Sequence, residues 1–118
     1  MALHESIDKL VSKLTELSQH DKVAWEETAD ENVYLATIGD FVVTLGRGGS
    51  SAFSAYIFRV LGEKGKIIDE AFVVRPSPGD LSYPNWDRLR VLHELARRRA
   101  LHSEKAVTDL LTSLEEIR

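Results

Sequence analysis

With 118 residues, 43% of them hydrophobic and 29% charged, the chain has the composition of one soluble globular domain that can bury a core without staples. It has no cysteine, which excludes disulfides, thiolate metal sites and a cysteine nucleophile, and which fits a reducing cytoplasm. The net charge of −4 is uneven: residues 1–46 hold three basic and nine acidic side chains (−6), residues 47–118 twelve and ten (+2), so the two halves can attract one another within a chain or across a dimer.

No apolar run approaches the ~20 residues that span a bilayer. His4, Glu5, Asp8 and Lys9 near the N-terminus do not fit a signal peptide. The expected location is the cytoplasm, with no membrane contact.

The first predicted element is a helix. Leu3, Ile7, Leu10, Leu14 and Leu17 are spaced four, three, four, three, a heptad seam that Val11 widens. Two heptads are too few for a free coiled coil. The seam is expected to pack on the chain's own sheet, or to serve as a helix-to-helix dimer contact. His20-Asp21 reads as a helix end, where an imidazolium suits the negative dipole.

Residues 22–74 read as strands, since their apolar period is two and their punctuation is glycine. A short strand is predicted around Val23 to Thr28, ended by Ala29-Asp30-Glu31-Asn32. Two runs follow, Val33 to Ile38 and Phe41 to Leu45. Gly39-Asp40 between them is either a two-residue hairpin turn or a bulge in one long strand. Gly46-Arg47-Gly48-Gly49-Ser50-Ser51 is expected to be a flexible connection. A long strand from Phe53 to Leu61 and a turn at Gly62-Glu63-Lys64-Gly65 then lead into Lys66 to Val74. The connections are too short for parallel crossovers, so an antiparallel meander is expected. Both faces of this sheet are partly apolar, so helices of the chain or a second copy must cover each.

Arg75-Pro76-Ser77-Pro78-Gly79-Asp80 reads as a loop. A helix is predicted from Pro84-Asn85, with Pro suited to the first helical position. Trp86, Leu89, Val91, Leu92, Leu95, Ala96 and Ala100 cover more than half its girth, as expected of a helix contacted from two sides, by the sheet and by the next helix. Arg90 and Arg97 share its polar arc with Glu94, and Arg98 lies nearby. Arg88 and Arg99 fall in the apolar arc, where an arginine needs a buried stem or a carboxylate partner. At least one structural ion pair with the acidic N-terminal half is expected. A last helix runs from about Ser103 to Ile117, with Ala106, Val107, Leu110, Leu111, Leu114 and Ile117 on one face. A break at His102-Ser103 is preferred to one helix longer than 30 residues.

No motif demands a particular chemistry. His4, His20, His93 and His102 lack a metal-binding spacing, and His93 reads as a satisfied histidine at the edge of the apolar face. The glycine-rich segment at 46–51 precedes a strand, whereas a phosphate loop precedes a helix. Glu26-Glu27, Asp69-Glu70 and Glu115-Glu116 are sequence neighbours. In a strand such neighbours point to opposite faces and cannot converge on one substrate atom. No serine sits in a nucleophile elbow. Tyr56 and Phe58 alternate in register with core residues and read as core.

The expected fold is α+β, one domain over residues 1–118: an N-terminal helix, an antiparallel meander of four to five strands, and two C-terminal helices packed on the sheet. The expected function is a small non-catalytic protein–protein interaction or accessory module, a homodimer with room for another protein partner, without cofactor or metal. The alternative is a nucleic-acid or phosphate binder using the arginine-rich helix 84–101, with Arg90, Arg97, Arg98 and Arg47 as contacts. The acidic total charge and the split of the arginines over two faces weigh against it.

Overall fold

In a computed structural model that describes residues 5–50, 53–74 and 84–117, the chain adopts the expected α+β order. Helix α1 (Glu5–Gln19) leads into strands β1 (Glu26–Glu27), β2 (Val33–Ile38), β3 (Phe41–Ser50), β4 (Phe53–Leu61) and β5 (Ile67–Val74), and helices α2 (Pro84–Ala100) and α3 (Ser103–Glu116) follow. The sheet is antiparallel throughout, in sequence order β1-β2-β3-β4-β5.

The β2–β3 connection is a hairpin. Ile38 pairs with Phe41 across Gly39-Asp40, and Gly39 takes the left-handed φ of +61° that a tight turn requires. The expected flexible connection at residues 46–51 is corrected. Through Ser50 it continues β3, with Gly46 opposite Ile57 and Gly48 opposite Ala55. A Cβ at 46 would lie 3.0 Å from Val33 Cγ2, so a larger residue there requires Val33 to give way by a few tenths of an ångström. The predicted loop at residues 75–80 and Leu3 of the predicted seam lie outside the described residues.

One face of the sheet carries the core. Tyr34, Ala36, Val43, Leu45, Tyr56, Phe58 and Val73 pack with Leu89, Leu92, Ala96 and Ala100 of α2, and with Ile7, Val11 and Leu14 of α1. Those α1 residues are spaced four and three, so the helix buries a stripe centred on Val11. Helix α1 lies chiefly against α2, not the sheet. Helix α2 therefore has α1 as a neighbour as well as the sheet, and it also meets the expected α3. A periodic stripe states how much of a helix is buried but not against what. Val23 and Trp25, just before β1, complete this core, and the Trp25 indole N–H donates to Ser18 Oγ at 3.0 Å.

The far face presents Val33, Leu35, Val42, Ile57, Leu61 and Phe72, half-buried or exposed, and no described helix packs over it. His102, in a left-handed conformation (φ 51°, ψ 47°), separates α2 from α3 at the expected break. Helix α3 meets the rest of the chain mainly through α2. Its apolar residues Val107, Leu110, Leu111, Leu114 and Ile117 are 54–71% exposed. Among the described residues no helix is long and apolar enough to cross a membrane.

Candidate functional site

The arginines of α2 divide into two groups. Arg88 and Arg99, the two in the apolar arc, pair with the acidic N-terminal half. Arg88 donates to the Asp8 carboxylate, to Ser12 Oγ and, at 2.9 Å, to the Asp8 carbonyl. Arg99 meets the Asp21 carboxylate at 2.8 Å. Both contacts clamp α1 and its C-terminal turn to α2, so the opposite charges of the two halves act within one chain.

The proposed contact residues do not come together. Arg90 is exposed and turns back to Asp87 at 3.3 Å. Arg97 donates through two nitrogens to Glu94, at 3.2 and 3.0 Å. That hydrogen bond holds the Glu94 carboxyl below its ordinary range, and it raises the Arg97 guanidinium. Arg98 lies on the other side of α2, beside Arg99, His102 and Lys105 in a groove of about 340 Å³ reached by Ser18 and Asp21. Arg47 is exposed on β3, where its charge reaches Tyr56 and His93. Among the described residues neither Arg98 nor Arg47 has a carboxylate partner.

His93 is more deeply built in than its sequence position suggests. Only 6% exposed, it lies 5.3 Å from the Tyr34 ring and 5.4 Å from the Tyr56 ring, and Tyr56 in turn lies 4.6 Å from Trp86. Its Nε2–H donates to the Asn32 carbonyl at 2.8 Å. The same carbonyl accepts the Arg47 backbone N–H at 3.1 Å. Asn32 takes a left-handed φ of 64°, a conformation that asparagine tolerates. One carbonyl thus joins α2 to the β2–β3 ladder. Burial lowers the His93 pKa below the ordinary histidine value and keeps the ring neutral. Burial likewise raises the Tyr34 and Tyr56 phenols. Local sequence could not show this cluster, because its members come from two strands and a helix far apart in the chain.

The buried imidazole of His93 has its proton committed to a backbone carbonyl, and no described hydroxyl or carboxylate hydrogen-bonds to it. Among the described residues no three His, Asp or Glu side chains gather as metal ligands would. Two further grooves lie at the surface among the described residues. One, of about 370 Å³, follows the α1–α2 seam near Thr15 and Val91. Another, of about 350 Å³, sits by Glu27, Asp30, Glu31 and Arg97. The feature least explained by the fold is the uncovered apolar face of α3.

Set beside protein-family models, curated proteins and solved structures, the chain matches none of them.

Proposed function

We propose that the chain is a non-catalytic protein–protein interaction module that works as a homodimer in a reducing cytoplasm. The observation that supports this reading is the α3 face. Five large apolar side chains in one contiguous strip are each more than half exposed, while the core beneath α2 closes without them. Scattered apolar residues on a surface need no explanation, but a contiguous strip of several hundred Å² marks a binding surface. The absence of cysteine fits the reducing compartment.

The test replaces Leu110 and Leu114 together by glutamate. The variant is expected to keep a cooperative thermal transition and buried Trp25 fluorescence, and to lose association in sedimentation velocity. Loss of the cooperative transition would make α3 part of the folding core and would refute the reading.

The second reading, a phosphate or nucleic-acid binder, draws on Arg98, Arg99, His102 and Lys105 around one groove. Arg99 is engaged by Asp21 and Lys105 by Asp109, which leaves little charge for a phosphate. Retention on heparin that falls steeply with salt would favour it.

A further inference from the structure

We propose that the occupant of the α3 face is the same face of a second copy, in a two-fold, antiparallel helix pair. This rests on the interaction-module reading and commits it to one partner and one geometry.

The spacing fits a helix pairing with itself. Val107, Leu110, Leu114 and Ile117 are separated by three, four and three residues, the seam of a heptad, and Leu111 broadens it.

The charge pattern fits a like-charged partner. Lys105, Asp109, Glu115 and Glu116 lie more than about 100° round the helix from the centre line of the seam, and Glu104 holds the flanking heptad position one repeat before Leu111. Lys105 and Asp109 also satisfy each other at 2.7 Å. The described flanking positions Ala106, Leu111 and Ser113 carry no charge. In an antiparallel pair the two Glu104 positions lie at opposite ends, so two chains of net charge −4 can meet along this strip without carboxylates facing each other across it. A partner recognised by charge would need charged rims.

The area fits a reversible dimer. At 54–71% exposure, and taking about 150–200 Å² for a fully exposed side chain of this size, the five residues offer roughly 500 Å² per copy, or about 1,000 Å² for the pair, the lower bound for a specific interface. The far face of the sheet is the weaker candidate. The Arg59–Glu70 ion pair, at 2.7 Å, crosses it beside Thr44.

The direction follows from the tether. Each α3 joins its body at the N-terminal end, through His102. A parallel pair would bring two bodies of like net charge together at one end, whereas an antiparallel pair separates them. It also sets each helix N-terminus beside the partner's C-terminus, which suits the dipoles. Val107 then packs by the partner's Ile117 and Leu110 by the partner's Leu114, with Ser113 next to the two-fold axis.

Because the chain has no cysteine, single introduced cysteines test the geometry, with mild oxidation followed by non-reducing electrophoresis. Ser113→Cys is expected to cross-link with itself several-fold more than Lys105→Cys on the opposite arc. A mixture of Val107→Cys and Ile117→Cys chains is expected to join the two kinds, while neither joins to itself. Self-cross-linking at 107 and at 117 would show a parallel pair and overturn the proposal. So would equal cross-linking at 105 and 113, the mark of random collision. A dimeric mass in sedimentation without any α3 cross-link would overturn it too, and would leave the interaction reading standing on another surface. A mass fixed at the 13.3 kDa of one chain would remove the homodimer altogether.

Discussion

Shortening one leucine in α2 and one in α3 separates the structural helix from the associating one. Leu92 is 0% exposed and sits in the core between the sheet and α1. Leu92→Ala removes its buried methyl groups and leaves a cavity, at a cost of about 2–5 kcal/mol. That is a large share of the ~5–15 kcal/mol by which a domain of this size is stable. Leu110 is 59% exposed, so a single chain buries only about two-fifths of it. Leu110→Ala should cost less than about 1 kcal/mol in the single chain, and the better helix propensity of alanine offsets a few tenths of that. Urea unfolding followed by tryptophan fluorescence, at low protein concentration, measures both. With a slope of ~1.5 kcal/mol per molar urea, Leu92→Ala lowers the midpoint by about 1.5–3 M and Leu110→Ala by less than about 0.7 M. Equal losses for the two variants would refute the division, because they would place Leu110 in the same core as Leu92. At higher protein concentration Leu110→Ala is expected to lose the extra stability that dimerisation gives the unmodified chain.

The buried neutral ring of His93 makes folding pH-dependent. The unfolded chain takes up a proton as pH falls through the ordinary histidine value of about 6.5, and the folded chain resists until its lowered pKa is reached, so stability is full above that value and declines below it. His93→Gln should flatten the decline below about pH 6.5, read from urea midpoints; an unchanged slope would show that His93 titrates freely. Arg88→Ala should cost about 1 kcal/mol by the same assay, because it frees α1 from α2, with the figure discounted for partial exposure. A neutral result would mean that the α1–α2 seam holds without that clamp. Gly39→Ala should cost about 1–2 kcal/mol through backbone strain alone, since a Cβ there meets no atom within 4 Å. Gly39→Asn should cost less than Gly39→Ala, and the reverse order would refute the left-handed turn.

What the sequence disclosed was mostly local. Alternation and the Gly39-Asp40 punctuation placed the strands, although the choice between hairpin and bulge needed the pairing of Ile38 with Phe41. The two arginines in the apolar arc of α2 implied at least one ion pair with the acidic N-terminal half, and both form one, Arg88 with Asp8 and Arg99 with Asp21. The Gly46–Ser50 stretch misled because glycine ordinarily punctuates, while its strand character comes from β4, which supplies the ladder. Helical periodicity marked α1 as buried on one face without revealing α2 as its neighbour. The strand expected around Val23 to Thr28 is shorter, Glu26–Glu27, although Val23 and Trp25 are buried and alternate with exposed Ala24 as in a half-buried strand. The His93 cluster depends on contacts between residues as distant as Asn32 and His93, which no window of local pattern contains.

Sedimentation equilibrium of the unmodified chain across micromolar concentrations is the most direct measurement of the claim that α3 is an associating surface. The mass is expected to rise with concentration from 13.3 kDa toward twice that value, and the Leu110→Glu, Leu114→Glu double variant is expected to stay at the lower one. A mass of 13.3 kDa at every concentration, or a double variant that associates as well as the unmodified chain, would contradict it.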